Sequence, residues 1–200
     1  MLASKRTLLM NLTSSILLVL FLISASTGAT SIQSLSFKQL SQNAELVFEG
    51  EVSEVQSELK SNKSSIVTLI TFDVRDVILG NWSEPTITLE FLGGTVEGQT
   101  MRIQALVYPQ LGEHGVYFVE STHQQMVNPL LGWAQGHFKV KNDEMATSSG
   151  QMISSLNEGQ VSPLGTLSKG PANGVQVKGK SSQSGVTLSD FKRAILQARD

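Results

Sequence analysis

Between Glu45 and Lys141 apolar and polar side chains alternate at a period of two, the pattern of strands with one buried face. "ELVFEGEVSEV", Glu45 to Val55, places Leu46, Phe48, Gly50 and Val52 on one side; "SIVTLITFDVRDVILG", Ser65 to Gly80, does the same with Ile66, Ile70, Phe72, Val74 and Ile78. "TITLEFL" aligns Ile87, Leu89 and Phe91, and "MRIQALV" aligns Met101, Ile103, Ala105 and Val107. "GVYFVES" and "GHFKVK" complete about six strands separated by turn signals, which predicts a small antiparallel barrel or sandwich.

Helical spacing brackets this region. In "LSFKQLSQNAE", Ser36 can accept from the backbone N–H of Gln39 while Gln39 reaches back, and Leu35 can pack on Leu40 across the cap. At the other end, "TLSDFKRAILQARD" puts Leu188, Phe191, Ile195 and Ala198 on one helical face, with Thr187 placed to cap toward Asp190. So short a helix needs a surface to dock on. Between them, residues 142–186 hold no aromatic residue and are dense in Ser, Gly, Gln and Asn. Such a segment is expected to be a flexible linker, because alone it buries too little apolar area to offset chain entropy.

The N-terminal residues follow another pattern. Lys5 and Arg6 precede the uninterrupted apolar run Ile16 to Ile23, and small residues follow in "SASTGAT". This predicts a signal peptide over residues 1–29, cleaved after Ala29, and a secreted or periplasmic protein without a stable membrane anchor. The chain contains no cysteine, which excludes a thioether lipid anchor, disulfides, thiol nucleophiles and thiolate metal sites. A bacterial envelope or secreted protein fits that composition, and the sequons at Asn62 and Asn81 then read as chance matches. The formal net charge of -2 shows no basic excess for nucleic acid.

Few residues point to chemistry. "EFLGGTVEGQ" carries Gly93, Gly94 and Gly98 after a strand, but the spacing is not that of a dinucleotide or Walker loop, and another strand-like run follows. Gly93 and Gly94 are therefore expected in a hairpin loop, with a remaining role as an exposed contact. His114, His123 and His137 are the imidazole candidates. His114 and His123 flank one predicted strand, which keeps them from sharing a metal; His114 beside Glu113 or Glu120 is where a hydrolase would show itself. Glu49, Glu51, Asp73 and Arg75 lie on strand faces expected to be solvated. Trp82, Tyr108, Tyr117 and Trp133 would carry a carbohydrate site only if they converged on one face. No residue pattern calls for a cofactor or a metal.

Taken as an ordered set, the helix, "AELVFEGEV", "TFDVRDVILG", the "GG" turn, "GEHGVYF" and "QGHFKV" resemble an uncharacterised family of exported bacterial proteins over Leu35 to Lys141 and the terminal helix. The strand order is also similar, more remotely, to the netrin-type, metallopeptidase-inhibitor-like module, which implies an OB-like barrel. That class inhibits through an N-terminal cysteine absent here, so the resemblance implies fold without mechanism. The expectation is then a mainly β protein: an OB-like barrel over residues 31–141, the linker over 142–186 and a helix over 187–200. Its expected role is non-catalytic binding of another exported protein, an exported peptidase among the candidates. Trp82, Gly93, Gly94, Tyr108, His114, Tyr117, Trp133, Phe191 and Ile195 are its candidate contacts. A carbohydrate-binding barrel and an uncharacterised hydrolase are the alternatives.

Overall fold

The structure is a computed structural model that describes residues 32–61, 65–179 and 185–199. The expected signal peptide and Asn62 lie outside the described residues.

Helix α1 (Phe37–Asn43) starts where the sequence places it: Ser36 Oγ accepts from the Gln39 N–H at 3.1 Å, and Gln39 Oε1 accepts from the Ser36 N–H at 2.9 Å. Strands β1 (Leu46–Leu59) and β2 (Ile66–Leu79) follow, each 14 residues long, then β3 (Thr86–Leu92). With β6 (His114–Val119), β7 (His137–Lys141) and β8 (Glu144–Thr147) they form one antiparallel sheet in the order β3-β2-β1-β6-β7-β8. A separate hairpin pairs β4 (Gly94–Val96) with β5 (Gln99–Met101), and another two-stranded sheet pairs β9 (Ile153–Leu156) with β10 (Val175–Val177).

Alternation along β1 gives the large sheet two buried faces. Val47 joins Val116, Phe118, Phe138 and Met145 under α1 and the C-terminal helix α2 (Leu188–Arg199). Leu46, Phe48 and Val52 join Ile70, Phe72, Ile87, Leu89, Phe91 and Tyr117 on the opposite face. Three register shifts interrupt the pairing of β1 with β2, and near the end of β2 Val77 packs on this second core while Ile78 packs on the first, so Ile78 leaves the face expected for it. Gly50 is required there, since a Cβ at that position would lie 2.9 Å from both the Asp73 carbonyl oxygen and the Phe48 ring.

The sheet does not close into the expected barrel. β3 and β8 are its edges, and the free end of β3 meets the segment after β6 through one backbone bond, Leu92 N–H to Val127 C=O at 3.0 Å. The run "MRIQALV" does not supply a closing strand: β5 ends at Met101, Ala105 adopts φ +64, and the Leu106 N–H turns back to the Ile103 carbonyl. Its alternation is present without a burial pattern to match, for Ala105 and Val107 are both exposed.

The expected flexible linker is also corrected. Residues 142–186 contribute β8, β9 and β10, and Met145, Ile153, Ala172 and Val175 enter the core beneath the helices. The segment builds no core of its own; it lays scattered aliphatic side chains on a core that Phe37, Phe118, Phe138 and Phe191 already make.

Candidate functional site

A sheet edge is a row of hydrogen-bonding groups awaiting a partner, and the two edges here differ. On β8 the Met145 N–H donates to the Val186 carbonyl and the Thr147 N–H to the Gln151 carbonyl, so chain segments cover it. On β3 the inner bonds fall at odd positions, as the flanking bonds from Gly93 N–H to Ile66 C=O and from Val74 N–H to Pro85 C=O require. Thr86, Thr88, Glu90 and Leu92 therefore aim their main-chain groups outward. Trp82 Nε1 donates to the Thr86 carbonyl at 3.1 Å, and Tyr108 Oη donates to the Leu92 carbonyl at 2.6 Å. Between these two aromatic brackets, Thr88 and Glu90 have no main-chain partner among the described residues.

The bracket at Leu92 continues into the glycine turn. Thr68 Oγ1 donates to the Gly93 carbonyl at 2.7 Å, and a Cβ on Gly94 would lie 2.5 Å from Thr68 Oγ1 and 2.6 Å from Ser57 Oγ. Glu97 and Gly98, both at positive φ, form the two-residue turn of the β4–β5 hairpin. The expected loop is therefore corrected: a hairpin forms, but its turn is Glu97–Gly98, Gly94 begins β4, and β3 does not pair with the run after "GGTVEG". A pocket of about 360 Å³ opens between this hairpin and residues 102–108, lined by Gly94, Thr95, Thr100, Arg102, Ile103 and Tyr108 among others.

A second polar assembly lies on the helix-bearing face. Glu49 and Asp76 are direct cross-strand neighbours of like charge, an unfavourable pairing that needs a cation. Lys192 of α2 supplies it, bridging to Glu49 and, at 2.8 Å, to Asp76. His114 Nε2 engages the other Glu49 oxygen at 2.7 Å, and Arg75 pairs with Glu51. Burial opposes the charge on Glu49, but Lys192 and His114 outweigh it and hold the carboxyl below its ordinary range. Glu49 is thus buried at 7% exposure, contrary to the solvated face expected for it.

The remaining histidines are separate. His137 is fully buried, stacks on Tyr117 at 5.4 Å and engages Glu113, whose second oxygen meets Lys139 at 2.7 Å. Glu113 likewise stays below the ordinary range, burial being outweighed by His137 and Lys139. His123 lies in the loop after β6 at 85% side-chain exposure. Both carboxylate–imidazole pairs carry a lysine, and neither histidine bonds a Ser or Thr hydroxyl among the described residues. No group of three or more His, Asp or Glu converges as a metal-binding set among them.

Of the candidate contacts, Trp82, Gly93, Gly94 and Tyr108 gather at the two ends of the β3 edge. Tyr117, Phe191 and Ile195 are fully buried and cannot serve as exposed contacts. Trp133 stands apart on a 3-10 turn (Trp133–Gly136), so the four rings do not share one face. Sequence reasoning missed Thr88, Glu90 and Arg102. The available signal was the polar member of each alternating pair in "TITLEFL", since those positions on an edge strand face outward. No protein-family model, curated protein or solved structure matches this chain.

Proposed function

We propose that this protein is an exported, non-catalytic module that captures an extended segment of another exported protein along the open edge of β3. The observation that carries the reading is the pair of unpartnered main-chain positions at Thr88 and Glu90, bounded by Trp82 and Tyr108. An added strand would gain main-chain hydrogen bonds there, and the brackets limit its length. The apolar run of Ile16 to Ile23 supports export, and the resemblance noted above makes an exported peptidase the first partner to test.

Thr88→Pro removes the outward N–H without breaking a main-chain bond to β2, because Thr88 stands opposite Thr71 at a position whose main-chain groups β2 does not use. It also removes the 2.9 Å hydroxyl bond between Thr88 and Thr71, so Thr88→Val, which loses that bond and keeps the N–H, is the control. In an affinity capture from envelope extract, the wild-type chain and Thr88→Val are expected to retain a partner that Thr88→Pro loses while it still unfolds cooperatively. Equal capture by the wild type and Thr88→Pro would contradict the proposal.

A further inference from the structure

The pocket beside Tyr108 has a composition that the edge alone does not require. Arg102 lines it and forms no ion pair with another described residue. Thr95 and Thr100 face each other across the hairpin with their hydroxyls 3.0 Å apart. That bond consumes one hydroxyl hydrogen and leaves the other free to donate. Ile103 and Leu106 add half-buried apolar surface to the same pocket. An uncommitted guanidinium, a free hydroxyl donor and apolar walls together suit a carboxylate carried on the same residue as an apolar side chain.

Resting on the β3-edge reading, we infer that this pocket takes the C-terminal residue of the captured segment, with Arg102 as counter-charge to its terminal carboxylate. β3 runs from Thr86 toward Leu92, so a segment ending in the pocket lies parallel to β3. Its ladder spans Thr88 and Glu90 only; because the Val127 main chain and Tyr108 hold the outward position at Leu92, the segment leaves the edge plane after Glu90 and delivers its last side chain to Ile103 and Leu106. A carboxylate within an Asp or Glu side chain would not bring an apolar group with it. The pocket therefore discriminates a free chain end from an internal acidic residue.

The test uses two pools of fluorescein-labelled hexapeptides, randomised except for a C-terminal Leu, Val or Phe, one with a free carboxylate and one amidated. Fluorescence anisotropy is measured against the full mature chain and its Arg102→Gln and Thr88→Pro variants. The free-acid pool is expected to bind about ten-fold more tightly than the amide pool, the effect of one charge-assisted contact. Arg102→Gln should remove that difference and keep the weaker binding; Thr88→Pro should abolish both. Equal binding of acid and amide pools, still lost in Thr88→Pro, overturns the carboxylate pocket and leaves the edge reading standing. Binding indifferent to Thr88→Pro, or no binding of either pool, overturns both.

Discussion

At the scale of single residues, Lys192 is the charge on which the helix-to-sheet contact turns. Lys192→Met leaves Glu49 buried beside Asp76 with only His114 as partner, and the expected loss is about 2–4 kcal/mol at neutral pH by chemical denaturation. The acid limb distinguishes this from lost packing. Because the folded carboxyl of Glu49 titrates below its unfolded value, its stabilisation is present above the ordinary carboxylate range and disappears as pH falls through the folded value. Lys192→Met should therefore flatten the decline of stability on acidification, leaving the share that Glu113 contributes through His137 and Lys139. A decline as steep as in the wild type would show that Lys192 does not set the titration of Glu49. Gly93→Ala probes the other end of the sheet: at φ +90 a Cβ would lie 2.7 Å from the Met101 carbonyl oxygen and 2.6 Å from Tyr108 Oη. A drop of about 1–3 kcal/mol is expected in thermal or denaturant unfolding. The sequence reading found these glycines because a positive φ leaves a local signature. It missed Lys192, whose two acidic partners are more than a hundred positions away in the chain.

At the scale of elements, what could be read beforehand was what neighbouring residues decide. The Ser36 capping box, the strands β1 and β2 and the helical face of Leu188, Phe191, Ile195 and Ala198 all rest on contacts within a few positions, and all three elements appear, although β1 buries both of its faces at its start and Ile78 packs on the opposite core from Phe72. Residues 142–186 failed as a linker because their burial depends on a surface supplied by remote parts of the chain. The same distance effect decided α2. Its apolar face was visible, but its destination was not: Phe191 meets Phe37 at 5.5 Å and Phe138 at 4.8 Å inside the core, so it offers no free contact surface. Phe191→Ala is expected to cost about 3–5 kcal/mol in denaturant unfolding. A change within experimental error would place α2 outside the cooperative fold.

At the scale of the molecule, a core on each face of the sheet separates the residues that hold the fold together from the edge proposed for recognition. A chain ending at Lys141 would lose Met145, Ile153, Phe191 and Ile195 from the core beneath the helices and should not give a cooperative thermal transition. The β3 edge lies against the other core, around Phe72, Phe91 and Tyr117, and the outward main-chain groups of Thr88 and Glu90 bond no other described residue. Recognition at that edge can therefore be removed without unfolding the protein. The most direct measurement is amide hydrogen exchange at single-residue resolution on the protein, with and without a segment captured as proposed. Thr88 and Glu90 should exchange quickly in the free protein and become protected on binding, while Met145 and Thr147 on the covered β8 edge remain protected throughout. Binding that leaves Thr88 and Glu90 unprotected would contradict the account.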